Sequence, residues 1–408
     1  MLAWVRDAFR IDSAYFIHSS FWALLQNSVG FLLGTLLQVA LARLLTRSQL
    51  GEYDLIASLM GLFTLAAVPG INQLVVQASA RGQDGVLQQG FKISIFGLSL
   101  SIPILLSVSS FYAIHGEYTV GLGLVVLGLT SVIRLPSHLY EPFLQGKKRF
   151  DLTALFSFLS SLAVTSGIIV SAFIAKSVLI LISVQGVIQA ALDAGFFAIT
   201  RSFMRSKGRD KELFSYGLFL TITSIVPIIS GAIDKVLLAA LFTTSELGLY
   251  FVATTIPAAL QRFAQALTDV TFPKIATLSR EDQELTVKRH SLTLFIMTVF
   301  LCGALLFLLP WVIPLIFTKA FLDATLYAQL ELVSFVLFPL NVFLANFLTV
   351  QRRRSSQILI SVVPSGAKII LSFICIPFFG IFAIIGVNFL TRILVLGMTL
   401  YAIFKRND

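Results

Sequence analysis

Inside the long apolar stretches of this 408-residue chain stand a few charged side chains that hydrocarbon would not tolerate. Arg134, Arg262, Lys368 and Arg392 lie closest to the middles of such stretches, opposed there by Glu331 alone, while Glu141, Asp193, Asp234, Lys235 and Asp269 stand inside or at the ends of others. A charge facing lipid costs several kcal/mol, so these groups should line a protein interior or a water-filled cavity. Cations outnumber carboxylates at mid-stretch, and the guanidinium groups among them suit bidentate recognition of phosphate or carboxylate. For each residue taken singly, a structural ion pair or a snorkelling end residue is an open alternative.

Spacing adds a second signal. Thr255, Arg262, Gln265 and Asp269 fall at i, i+7, i+10 and i+14, on one helical face. Thr130, Arg134, His138, Glu141 and Gln145 recur every three or four residues and form another polar face. The candidate cavity set is therefore Arg134, Arg262, Lys368, Arg392, His138 and Gln265. The other histidines, His18, His115 and His290, are too scattered to suggest a metal site, and no Walker loop, HExxH, CxxC or GxSxG occurs. The expectation is a non-enzymatic protein without metal or cofactor.

The elements that position these residues follow from composition. Hydrophobic residues make up 57% of the chain and charged residues 12%, about half the usual charged share of near 25%. With a mean hydropathy of +0.91, most of the surface must face lipid. Apolar runs without the alternation of a barrel strand make the spans helices. They are placed near 17–43, 52–79, 90–113, 118–145, 151–173, 177–201, 212–241, 247–274, 290–316, 324–350, 356–377 and 380–404, an all-α integral membrane protein of about 12 spans.

The basic residues test that count. Twenty-one of the 30 lysines and arginines fall in alternate connections or at the termini, and only Arg43, Arg47, Lys176 and Lys319 fall in the intervening connections. Short cytoplasmic loops are enriched in Lys and Arg, so both termini are expected on the cytoplasmic side. The same dispersal argues against a nucleic-acid partner despite the net charge of +10. Cys302 and Cys375 lie in apolar runs and read as small buried hydrophobes rather than a disulfide. Residues 1–15 lack a cleavable signal and read as a short interfacial helix.

The most basic loop, SFMRSKGRDK at 202–211, divides the chain into bundles of six helices over 1–201 and 212–408. The halves echo each other: TRSQLGEY (Thr46–Tyr53) aligns with TTSELGLY (Thr243–Tyr250), and FLQGKKR (Phe143–Arg149) with FLTVQRRR (Phe347–Arg354). Both copies lie at corresponding connections in the same order, so the repeat is parallel, about an axis along the membrane normal. Prolines and glycines within spans, among them Pro69-Gly70, Pro136 and Pro364, permit bends or static kinks. Gly30 and Gly34 suit close helix packing.

The stretches LARLLTRSQLGEY (41–53) and AIDKVLLAALFTTSELGLY (232–250), followed by PKIA (273–276), resemble the polysaccharide transport family of bacterial flippases. These belong to the multidrug/oligosaccharidyl-lipid/polysaccharide superfamily. The resemblance runs over nearly the whole chain. It implies a V-shaped, alternating-access transporter with the fold of multidrug and toxin extrusion proteins. The implied cargo is an undecaprenyl-diphosphate-linked oligosaccharide, carried across the bacterial inner membrane for O-antigen, capsule or exopolysaccharide assembly. The implied partners are that lipid-linked oligosaccharide, membrane lipids and other polysaccharide-assembly membrane proteins. A cation or proton gradient is used by several such flippases, with Asp193, Asp234 and Glu331 the candidate carriers here. The competing readings are an exporter of organic cations with the same fold, for which mid-span carboxylates rather than arginines would be expected, and a glycan polymerase or ligase, which commonly carries long outer loops. A non-transporting scaffold would leave the mid-span charges without a role.

Overall fold

The computed structural model describes residues 13–208, 210, 212–276, 280–350 and 354–404. The expected interfacial helix before Ser13, both termini and the side chain of Asp269 lie outside the described residues. Apart from 3-10 turns at Thr64–Ala67 and Lys319–Phe321, the described elements are α-helices. They are α1 (Ser13–Leu44), α2 (Arg47–Phe63), α3 (Ile71–Ala80), α4 (Val86–Ile114), α5 (Tyr118–Ser137), α6 (Tyr140–Gly146) and α7 (Phe150–Ala175). The order continues with α8 (Val178–Arg201), α9 (Leu213–Leu241), α10 (Thr244–Ala276), α11 (Arg280–Phe317), α12 (Ala324–Phe335), α13 (Phe338–Val350) and α14 (Arg354–Phe404).

Ten helical stretches among the described residues are long and apolar enough to cross a membrane. The last, Ser356–Phe404, has 49 residues, roughly 74 Å of helix at 1.5 Å per residue where the hydrocarbon core needs about 30 Å. It breaks at Gly380 (φ 53°, ψ −127°) and so supplies two spans. Helix α10 is 33 residues long but is diluted by residues such as Glu246 and Arg262. Counting both adjustments, the described helices match the twelve expected spans.

The bends sit where the sequence places proline and glycine. At Pro69-Gly70 the second span breaks between α2 and α3, with Val68 in a left-handed conformation (φ 56°). Gly70 is required there because a Cβ would stand 2.2 Å from the Gly217 carbonyl. Pro136, which cannot donate its nitrogen to the helix ladder, precedes the break between α5 and α6. Large apolar side chains such as Ile114, Phe307 and Phe378 are exposed, as lipid-facing residues should be.

The chain forms two compact units, Met1–Leu37 with Phe63–Ile222, and Gln38–Leu62 with Thr223–Asp408. The first packs around Val68, Ile71, Val75, Leu87 and Phe143, with Phe156 and Phe196 stacked 4.2 Å apart. The second includes a cluster of Phe343, Leu344 and Phe347. The packing boundary thus differs from the expected one at 202–211, and residues 38–62 join the C-terminal half. The contacts responsible lie in the repeat itself. A Cβ on Gly51 would stand 1.7 Å from the Thr244 carbonyl oxygen, and one on Gly248 would stand 1.9 Å from that of Arg47. Gly51 and Gly248 are equivalent positions of TRSQLGEY and TTSELGLY, as are Arg47 and Thr244. The two copies therefore meet reciprocally, as a local two-fold relation requires, through backbones that only glycine lets so close. Ser48 and Thr244 hydroxyls join them at 2.9 Å, and Arg47 reaches Asp323 at 2.8 Å.

Candidate functional site

In the first unit the break after Pro136 turns the chain so that His138 and Glu141 share a site with Arg134 of α5 and Asp193 of α8. Asp193 is buried, and its Oδ2 lies 3.3 Å from His138 Nδ1 and 3.8 Å from Arg134 Nε. His138 Nε2 lies 3.0 Å from Glu141 Oε2. Both ring nitrogens thus face carboxylate oxygens, an arrangement that only the imidazolium, with two N–H donors, satisfies completely. Gln26 of α1 donates to Glu141 at 3.0 Å and to Ser157 at 2.9 Å, and Gln145 donates to Glu141 at 3.3 Å. The side chains of Arg134 and His138 remain 35% and 46% exposed. A cation exposed in mid-span needs water or a counter-charge beside it.

In the second unit the charges are paired more deeply. Lys368 of α14 donates to Asp234 of α9 at 3.0 Å, and Lys235 donates to Asp54 of α2 at 2.8 Å. Asp54, Ser58, Gly231 and Lys235 line a cavity of about 290 Å³. On α12, Glu331 is buried and accepts hydrogen bonds from Asn388 (3.1 Å) and Tyr250 (3.4 Å). Arg392 is a Coulombic neighbour of Glu331 and stands 5.7 Å over the Phe338 ring. Arg262 is exposed on α10, where it donates to Gln38 Oε1 at 3.1 Å and to the Ala258 carbonyl at 3.3 Å. Gln265, one turn on, is also exposed.

The candidate set is thus distributed, with Arg134, His138 and Asp193 together in one unit and Lys368 with Asp234, and Arg392 with Glu331, in the other. The positive excess expected at mid-span is met by carboxylates at Arg134 and Lys368. Glu331, the carboxylate nearest mid-stretch in the sequence, engages Asn388 and Tyr250. Thr255 and Thr130, counted on the polar faces, spend their hydroxyls on carbonyls one turn back. Asp54, Gln26, Gln38 and Asn388 were not singled out from sequence. Asp54 alone carried a signal, as the carboxylate immediately after the repeated TRSQLGEY.

Comparison with solved structures places the fold. An inward-facing multidrug resistance transporter of the multidrug/oligosaccharidyl-lipid/polysaccharide superfamily superposes with a TM-score of 0.69 at 15% identity, over 93% of this chain and 98% of its own. The lipid II flippase MurJ in an inward closed conformation gives 0.67 at 14% identity, over 95% and 87%. A Pyrococcus furiosus member of the same superfamily, described as having a binding pocket of reverse polarity, gives 0.64 at 15%, over 95% of both chains. The protein therefore has the all-helical fold of these transporters. Residues 40–326 match the model of the polysaccharide biosynthesis protein family, and the chain belongs to that family. A curated relative, the probable low-salt glycan biosynthesis flippase Agl15 of Haloferax volcanii, is 24% identical over 249 residues, 60% of this chain. The chain spans about half the length of that relative, 52%.

Proposed function

We propose that this protein is a flippase for a lipid-linked oligosaccharide, carried on undecaprenyl diphosphate across the bacterial inner membrane for O-antigen, capsule or exopolysaccharide assembly. The observation that carries the reading is the partial exposure of Arg134 and the exposure of His138 and Arg262 within membrane-spanning segments. Cations so placed can exchange a carboxylate or amide partner for the diphosphate of a lipid carrier. Family membership and the Agl15 relative support a glycan cargo, and the likeness to MurJ supports a fold suited to lipid-linked substrates. Lys368 and Arg392, each with a buried carboxylate, take the supporting role of shaping the second unit's interior. Asp193, Asp234 and Glu331 are the groups through which a cation or proton gradient would act, Asp193 by way of His138. Both termini and the 202–211 loop are assigned to the cytoplasmic side by the distribution of Lys and Arg.

The test is reconstitution. Vesicles containing the protein should move a fluorescent undecaprenyl-diphosphate oligosaccharide between leaflets and leave a neutral glycolipid of similar size behind. Arg262→Ala should lose on the order of 1.5 to 3 kcal/mol of headgroup interaction, roughly 10- to 100-fold in affinity, and Arg262→Lys should recover part of it. Equal handling of the charged and neutral lipids would refute the reading.

A further inference from the structure

The first unit carries a second cationic feature that the transport reading does not use. Where α8 ends and the 202–208 segment begins, a cavity of about 590 Å³ is lined by Gln88, Arg201, Ser202, Arg205 and Lys207, with Met204 on its apolar side. That volume is within the range of small-molecule sites. The three cations are exposed, and among the described residues none of them forms an ion pair. Two basic residues of the neighbouring 147–149 loop behave differently, because Lys147 pairs with Asp84 and Arg149 with Asp151.

Charges that only fix topology need no cavity and no fixed backbone, yet this segment has both. Asp84 is buried, and its Oδ2 accepts the backbone N–H groups of Arg205 (2.6 Å) and Ser206 (3.2 Å), while its own N–H donates to Ser206 Oγ at 3.0 Å. Gln89 donates to the Asp210 carbonyl at 2.8 Å. A Cβ on Gly85 would stand 2.6 Å from the Gly208 carbonyl oxygen and 2.7 Å from that of Lys207, so the two segments touch backbone to backbone. The cations are presented by a pinned loop at the end of a membrane span.

From this we infer that the cavity is a binding site for a phosphate-ester anion, held by Arg201, Arg205 and Lys207 at the membrane boundary and separate from the transported cargo. Two sources share that chemistry, the headgroup of an anionic phospholipid and a soluble phosphate.

The full chain, purified in detergent, is titrated with phosphatidylglycerol and with phosphatidylcholine and followed by native mass spectrometry. A parallel arm titrates inorganic phosphate alone. Each surface cation contributes about 1 kcal/mol of preference for an anionic lipid, about fivefold. The triple change Arg201→Gln, Arg205→Gln, Lys207→Gln should therefore weaken phosphatidylglycerol binding by roughly 100-fold and leave phosphatidylcholine unchanged. Arg205→Gln alone, expected at roughly fivefold, carries the test if the triple variant does not fold, and Arg205→Lys should keep most of the binding. Phosphatidylglycerol binding that depends on these residues, with inorganic phosphate inert, identifies a lipid headgroup. Phosphate binding with the same dependence identifies a soluble ligand. Binding of neither, or binding indifferent to the three residues, overturns the inference.

Discussion

The two charge clusters are built from similar residue types under different degrees of enclosure. In the first unit His138 stands between Glu141 and Asp193 with nearly half its side chain exposed, and Arg134 approaches Asp193 only to 3.8 Å. In the second, Lys368 is 14% exposed and bonds Asp234 at 3.0 Å. A tight pair deep in protein has already exchanged its hydration for its partner, so exchanging it again is costly. A looser, partly exposed cluster keeps partners it can trade. On the proposed reading Arg134 and His138 are the groups that exchange partners, while Lys368 holds Asp234 in a tight pair.

The largest effect should come from breaking the enclosed pair on one side. Lys368→Met leaves Asp234 buried, with Lys235 as its remaining cationic neighbour, and removal of one partner of such a pair typically costs about 3 to 5 kcal/mol. The thermal unfolding temperature in detergent should fall accordingly. Lys368→Met combined with Asp234→Leu should recover most of the loss, because apolar replacement of both members can be near neutral. A single variant as stable as the parent would erase the distinction between the clusters.

The repeat contact comes next. Gly51→Ala places a methyl group against the Thr244 carbonyl, and overpacking of this kind costs about 1 to 3 kcal/mol. Gly248→Ala meets Arg47 in the same way and should cost a similar amount, whereas Gly30→Ala, with open space around its Cβ position, should cost little. Unequal costs for Gly51 and Gly248 would show that the two copies are not equivalent in packing.

Much of this was legible in the sequence. Hydropathy and the distribution of Lys and Arg gave the spans, the echo of TRSQLGEY in TTSELGLY marked the two glycines, and Pro69-Gly70 and Pro136 marked the breaks. Pairing was not legible, because Lys235 and Asp54 lie 181 residues apart and Lys368 and Asp234 lie 134 apart. A polar face on one helix states what a residue offers, while its partner is fixed by how helices pack. The grouping of 38–62 with the C-terminal half was hidden for the same reason, since it rests on backbone contacts at Gly51 and on pairs such as Lys235–Asp54 and Arg47–Asp323 whose members lie far apart in sequence.

A smaller loss should follow from opening the exposed cluster. Arg134→Ala removes a partly exposed partner at 3.8 Å, for which about 1 kcal/mol or less of stability is at stake. Thermal unfolding should barely change while lipid transfer in the reconstituted assay drops. An unfolding loss as large as that of Lys368→Met would make Arg134 structural and remove it from the proposed headgroup contact.

The smallest effect concerns a carboxylate outside the spans and sharpens the comparison by adding a third environment. Burial alone would raise the Asp84 carboxyl, but the hydrogen bond from Lys147, the backbone donors of Arg205 and Ser206 and the Lys147 charge together hold it below its usual value. A carboxylate depressed in the folded state contributes stability above its unfolded value, about 3.9, and that contribution is lost as pH falls toward the folded value. The 202–208 segment should therefore stay pinned through neutral and mildly acid conditions and loosen only below about pH 4. Hydrogen exchange at the Arg205 and Ser206 amides reads this directly, because both donate to Asp84. Asp84→Asn cannot ionise, so its exchange there, corrected for the intrinsic pH dependence of the chemistry, should be faster at neutral pH and flat with acidification. If the parent protein shows the same flat profile, Lys147 and the backbone donors do not stabilise the ionised form of Asp84.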